Sequence, residues 1–240
     1  MKILYKYPTR DRPLKFARCL NQYYKLMDQD SDFEFAITVD NDDPAMNNPE
    51  TREFLNQVKN ATYNFGDSKT KIEAINSDIP DTDWDILVLV SDDMIPEVEK
   101  FDNIIREKMI KHFPDTDGVL WFFDGWRKDL NTLCILGRKY YDRFGYIYHP
   151  DYKSFWCDAE FTEVANKLGK QVFIDQVIIR HLHPDIVMQD KATYEKFAAF
   201  LPEYSHQGSF GHDMLWQANG KLDKIDNELY DKRKAKGFDL

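Results

Sequence analysis

Trp84-Asp85-Ile86-Leu87-Val88-Leu89-Val90 runs directly into Ser91-Asp92-Asp93. The first seven residues are almost unbroken in apolar side chains, the pattern of a central parallel strand covered on both faces. The strand then delivers two adjacent carboxylates to its end. Upstream, Ile3 to Tyr7 reads as a short buried strand ended by Pro8. Polar Thr9-Arg10-Asp11-Arg12 follows, with Pro13 in the favoured first-turn position of a helix. Leu14, Ala17, Leu20 and Tyr24 keep helical spacing through that helix. Phe33 to Val39 is a second strand running into Asp40-Asn41-Asp42-Asp43-Pro44. Helices are expected near 51–59 and 69–77, with a short strand near 61–65 between them. This repeated strand–loop–helix order predicts a doubly wound α/β sheet, whose ligands bind beyond the carboxyl ends of the strands.

Past residue 100 the pattern is mixed. A helix is expected over 103–112, strands over 118–123 and 132–136, and a helix over 155–168. A late strand over 171–179 leads into Arg180-His181-Leu182-His183-Pro184. Residues 1–220 read as one domain whose two halves meet at about residue 100. Residues 221–240 read as a charged, peripheral helix that frays at its end.

The 240 residues carry a net charge of −10, which disfavours a broad basic surface for nucleic acid. Carboxylates gathered at strand ends suit a hard divalent cation, Mn²⁺ or Mg²⁺, bridged to diphosphate oxygens. Cys19, Cys134 and Cys157 include no CxxC pair, so neither a disulfide framework nor a zinc knuckle is expected and a reducing cytoplasm is the default. No stretch approaches the length of a transmembrane helix.

Residues 87–96, LVLVSDDMIP, resemble the DXD region of GT-A-fold glycosyltransferases, especially the family-2 type. The resemblance implies a mixed, mostly parallel central sheet flanked by helices. It makes Asp93 a metal ligand and Asp92 its helper at the ribose or metal, with Ser91 where the usual first acid stands. Pro8, Thr9 and Arg10 look like the nucleotide-contacting loop, and Asp40 matches the acid that recognises the donor base. Lys71 and Asn76 in KTKIEAIN sit like the segment that lies against the nucleotide. Trp156-Cys157-Asp158-Ala159-Glu160 looks like the region that carries the catalytic base, with Asp158 the first choice and Glu160 the second. One of His181 and His183 is expected to face the cleft, and His183-Pro184 looks like the late metal-binding histidine. Trp121, Asp124 and Trp156 are the acceptor-side candidates. The resemblance also extends, through residues 137–161, to compact transferases of phage and bacterial type.

The same residues have structural readings. Asp158 suits a helix N-terminus, the Asp92-Asp93 turn suits a cap on the next element, and most aromatics suit the core. Three functions are therefore compared. The first is transfer of a sugar from a nucleotide-sugar donor, a UDP-sugar favoured, to an acceptor hydroxyl, with inversion. The second is nucleotidyl transfer, disfavoured because residues 6–13, KYPTRDRP, contain no glycine to wrap a triphosphate. The third is a binding module without catalysis. The acceptor is open between a saccharide or small-molecule hydroxyl and a hydroxymethylated base in phage DNA.

Overall fold

The computed structural model describes residues 1–182, 191–197 and 219–240. Its main sheet has seven strands: β1 (Ile3–Thr9), β2 (Phe33–Asp40), β3 (Ala61–Gly66), β4 (Ile86–Leu89), β6 (Val119–Phe122), β7 (Ile135–Gly137) and β8 (Gln171–Ile174). They lie in the order β3-β2-β1-β4-β7-β6-β8. Pairings are parallel except that β7 runs against both of its neighbours. Six of the seven strands therefore point the same way, and their carboxyl ends share one edge. The apolar run of β4 sits centrally, buried throughout.

Helices α1 (Pro13–Leu26), α2 (Pro49–Gln57), α3 (Lys71–Asn76), α4 (Phe101–His112), α5 (Arg138–Asp142) and α6 (Cys157–Lys167) connect the strands. Local chemistry sets their starts. Pro13 and Pro49 occupy first-turn positions of α1 and α2, where a missing N–H costs nothing. Asn48 caps α2 by accepting from the Thr51 N–H at 2.9 Å, and Thr70 caps α3 by accepting from the Glu73 N–H at 3.1 Å.

Alternation along each strand divides the core in two. Tyr5, Tyr7, Phe35, Ile37, Val88 and Val90 pack with Phe16, Leu20, Tyr23 and Phe101 on one face. Leu4, Ala36, Leu87 and Leu89 pack with Ile72, Ile75, Tyr140 and Phe161 on the other. The sheet is covered on both sides, as the unbroken β4 run requires.

Two expectations change. The chain leaving Asp92-Asp93 forms a short strand, β5 (Met94–Pro96), paired antiparallel with β9 (Ile179–His181). The single late strand is accordingly split into β8 and β9. The C-terminal segment is helical over Asp223–Ala235 and continues into a 3₁₀ turn, Gly237–Asp239. This segment docks. Asp226, Tyr230 and Arg233 recur at helical spacing and are buried, as is Phe238, and Arg233 makes a two-pronged ion pair with Glu160 at 2.7 and 2.9 Å.

Candidate active site

The carboxyl edge of the sheet gathers the charged residues. Beyond the end of β4, Asp92 and Asp93 are the central residues of a turn closed by the Met94 N–H donating to the Ser91 carbonyl at 3.1 Å, and their side chains diverge. Asp92 turns inward, its side chain 4% exposed, and accepts from the Tyr7 hydroxyl at 3.0 Å and the Thr9 hydroxyl at 3.3 Å. Burial pushes its pKa up to about 6, against the pull of Arg12 and Lys15. Its oxygens thus fasten the end of β1 to the end of β4. Asp93 turns outward, 26% exposed. Burial acts to raise its pKa, but His181, Lys15, Arg12 and the Ser91 hydroxyl together hold it well below the usual carboxylate range. Asp93 is therefore kept ionised.

His181 faces Asp93, with Nε2 3.9 Å from Oδ2. The pairing of β5 with β9 sets Met94 opposite His181, and the Leu182 N–H donates to the Asp93 carbonyl at 2.7 Å. On the other side of His181, Nδ1 lies 3.9 Å from Asp124 Oδ2, and the His181 N–H donates to the Asp124 carbonyl at 3.0 Å. His183 lies outside the described residues. Residues two apart on extended chain share a face, so the spacing of the two histidines did not by itself select one of them.

Asp124, at the end of β6, is a buried anchor. Its carboxylate accepts from the Trp126 and Arg127 N–H groups at 2.7 and 2.8 Å and from the Thr132 hydroxyl at 2.6 Å. It shapes the loop beside the site and leaves little of itself to a ligand.

The loops after β1 and β2 are clamped together. Arg10 donates to Asp40 at 2.8 Å and to Asp42 at 2.5 Å, and the Asp11 N–H donates to Asp43 at 2.7 Å. Asp40 is buried, and burial raises its pKa against the opposing pull of Arg10. Only Oδ2 is bonded; Oδ1 is buried with no hydrogen-bond partner. A buried carboxylate oxygen without a donor is costly. Its lone pairs stay able to accept a further N–H or O–H. Pro8 lies across from Thr38 on β2, two residues before Asp40.

Asp158 stands in the first turn of α6, and its Oδ1 accepts from the Ala159 N–H at 2.9 Å. Burial raises its pKa, while the charges of Lys71 and His181 act in the opposite direction. Lys71, the exposed first residue of α3, and His181 thus both act on Asp158 through their charge.

Other candidates are drawn elsewhere. Glu160 is buried and taken up by Arg233 and by the Tyr152 hydroxyl at 2.9 Å. Asn76 spends its amide on the backbone of Ile147 and Tyr148, at 2.7 to 3.2 Å, and holds that loop to α3. Trp121 packs edge-on against Phe173 of the outer strand, centroids 5.0 Å apart. Trp156 packs against Tyr230 and donates to Asp223 at 3.0 Å. Missed in the sequence were Arg12 and Lys15, whose charges reach Asp92 and Asp93 from the start of α1. Their signal was basic residues at one helix start, beside a strand end.

Asp93 and His181 form a pair of potential metal ligands, and the described residues contain no group of three or more. A carboxylate held ionised beside an imidazole fits a divalent ion that takes its remaining ligands from substrate phosphates and water.

No family model matches the sequence, and no curated protein matches it in sequence. Solved structures do match in fold. A mannosyltransferase from Pyrobaculum calidifontis, in complex with GDP-mannose and Mn²⁺, aligns with a TM-score of 0.62 at 14% identity, over 76% of this chain and 57% of that one. TarS 1–349 of S. aureus in complex with UDP aligns with a TM-score of 0.58 at 15% identity, over 83% and 64%. The same protein in complex with UDP-GlcNAc gives 0.57 at 16% identity, over 75% and 58%. The chain thus spans between 57% and 64% of these structures' own lengths. It has a GT-A-like glycosyltransferase fold.

Proposed function

We propose that the chain is a metal-dependent glycosyltransferase that moves a sugar from a nucleotide-sugar donor to an acceptor hydroxyl with inversion. One observation carries this reading. On one edge of a GT-A-like sheet stand an outward carboxylate held ionised beside His181 and a buried carboxylate oxygen without a donor at Asp40, together with a half-buried Asp158 on which the charges of Lys71 and His181 act. Structural neighbours are complexes with GDP-mannose, UDP and UDP-GlcNAc, which supports a nucleotide-sugar donor; we favour a UDP-sugar.

In this reading Asp40 Oδ1 accepts from the donor's base or ribose, with Arg10 fixing its orientation and Pro8 and Thr9 shaping the strand end beneath. Asp93 and His181 would hold the divalent ion, which when bound would neutralise charge on the diphosphate. Arg12 and Lys15 add positive charge on the same side. The acceptor oxygen attacks the anomeric carbon, and the bond from that carbon to the diphosphate oxygen breaks. The Asp158 carboxylate takes the proton of the attacking hydroxyl, and the nucleoside diphosphate leaves. Burial suits Asp158 to this role, because a carboxylate made more basic removes a proton more readily. Glu160, neutralised by Arg233, is assigned to support.

The test is turnover. Purified protein with Mn²⁺ is offered a panel of nucleotide-sugars, and slow donor hydrolysis is followed by release of nucleoside diphosphate. One donor is expected to turn over, and Asp93→Ala to abolish this while circular dichroism stays native. Absence of turnover across the panel, or full activity in Asp93→Ala, contradicts the reading. Pyrophosphate released from a nucleoside triphosphate instead would assign nucleotidyl transfer.

A further inference from the structure

The first turn of α6, which carries Asp158, begins without support of its own. No side chain caps the helix, and its N-cap residue, Trp156, has φ of 62° and ψ of −8°. A bulky residue in the left-handed region is a conformational outlier, costing roughly 1–3 kcal/mol, and it persists only where surrounding contacts impose it. Here the contacts come from a segment about 70 residues later in the chain. Asp226 of the C-terminal helix is fully buried. Its carboxylate accepts from three successive backbone N–H groups, Lys153 at 3.0 Å, Ser154 at 2.8 Å and Phe155 at 2.8 Å. One turn earlier in the same helix, Asp223 accepts from Trp156 Nε1 at 3.0 Å. Tyr230 packs on the Trp156 ring, centroids 5.3 Å apart. Further along, Arg233 holds Glu160, and the Tyr230 hydroxyl donates to Glu163.

Each residue from 153 to 156 is thus gripped by the C-terminal helix, and α6 is gripped again two residues after Asp158. A carboxylate that accepts three backbone N–H groups fixes the path of those peptides more tightly than apolar packing does, since charge-assisted hydrogen bonds are short and directional. Positions two and three residues further on, Cys157 and Asp158, inherit that path. The contacts with β1, β2 and β4 that set Asp40 and Asp93 involve none of these groups.

We propose that the C-terminal helix is a positioning element for Asp158, with Asp226 and Asp223 as its positioning residues: they hold residues 153–156 in the strained path that aims the first turn of α6 at the donor edge of the sheet. The proposal rests on the assignment of Asp158 as the base. It separates two functions by element. The donor is held by strand ends in the first half of the chain, and the base is aimed by the last helix.

The experiment compares wild type with Asp226→Ala, Asp226→Asn and Asp223→Asn. For each it measures kcat, donor KM, and the rise in Tm caused by donor with Mn²⁺. Asp226→Ala is expected to lose roughly 10- to 100-fold in kcat, the scale of a misplacement of about 1 Å. Its donor KM and donor-induced stabilisation should stay at wild-type values. Asp226→Asn, which keeps one acceptor oxygen, should fall between, and Asp223→Asn should lose less. Wild-type kcat in a folded Asp226→Ala overturns the proposal, as does a parallel loss of donor binding. If Asp226→Ala fails to fold, Trp156→Phe carries the test: it keeps a ring but loses the bond to Asp223, and unchanged kcat overturns the proposal. If wild type itself shows no transfer, the functional reading fails alone. The positioning claim is then read by amide hydrogen exchange. Asp223→Asn should speed exchange at 153–158 and leave β1 and β4 unchanged, and equal exchange at 153–158 overturns it.

Discussion

At the scale of single residues, the two histidines and the two aspartates show what spacing carries and what it leaves out. Asp92 and Asp93 are the central residues of one tight turn, and the one that faces solvent is the one beside His181. That an acidic turn follows the apolar run is legible in the sequence. Which histidine meets Asp93 is not, because it depends on the register of β5 against β9, a pairing between segments more than 80 residues apart. His181→Ala is expected to raise the Mn²⁺ concentration needed for half-maximal donor stabilisation by about 10-fold or more, as loss of a group at a metal site does; an unchanged metal requirement contradicts its role. Asp40→Ala should weaken donor binding in a titration calorimeter by at least about 1 kcal/mol, the cost of one lost hydrogen bond to a charged group, and leave metal binding intact. Acidity tests Asp158. Burial raises its pKa, so kcat/KM should fall on the acid side with a midpoint above the ordinary carboxylate value of about 3.9. Removing the carboxylate in Asp158→Asn should abolish that limb, and a limb that survives unchanged belongs to another group.

At the scale of elements, β1 carries a departure from its own pattern. Lys6 lies fully buried in the middle of a strand covered on both faces, hydrogen-bonded to the Thr38 hydroxyl, which in turn donates to Asp78 at 2.9 Å. Burial lowers the Lys6 pKa from 10.5 to about 8, with Asp78 acting to raise it. The sign follows from where each state gives up its proton. The folded chain deprotonates near 8 and the unfolded chain near 10.5, so stability rises as pH increases through that window. Lys6→Met should therefore be more stable than wild type at pH 7 by up to about 3 kcal/mol, with the gain shrinking toward pH 10.5, as read by urea unfolding at both pH values. A destabilised variant at pH 7 contradicts this. Gly125 stands at φ of +90°, a conformation open to glycine, where an added Cβ would lie 2.3 Å from Arg180 Nη1. Gly125→Ala should cost about 1–3 kcal/mol, loosen the two-pronged pair of Arg180 with Glu97 at 2.9 and 3.2 Å, and show a lower Tm. The apolar run over 84–90, the helix-starting prolines and the capping residues make the main strands and helices legible in the sequence, because each signal is local. The short strands β5 and β9 are not legible there, since each exists only through the other.

At the scale of the whole molecule, the order of the main elements was enough for a doubly covered, mostly parallel sheet, because each of those elements declared itself locally. The reach of the C-terminal helix was not legible. Its buried residues, Asp226, Tyr230 and Arg233, look in sequence like the rest of a charged tail, and their meaning lies in three backbone N–H groups and one carboxylate far away in the chain. The same long-range closure engages Glu160 with Arg233 and Trp156 with Asp223 and Tyr230. With a net charge of −10, the molecule should retain little duplex DNA in filter binding at 0.15 M salt, whereas an acceptor site for modified DNA would give retention that falls steeply as salt rises. The central claim, a donor site built around Asp93, is tested most directly by thermal unfolding against a panel of nucleotide-sugars with and without Mn²⁺. One donor should raise the Tm only when the metal is present, by an amount equivalent to about 2.7 kcal/mol at 100 times its Kd, and the rise should vanish in Asp93→Ala. No rise with any donor, or the same rise in Asp93→Ala, would contradict the account.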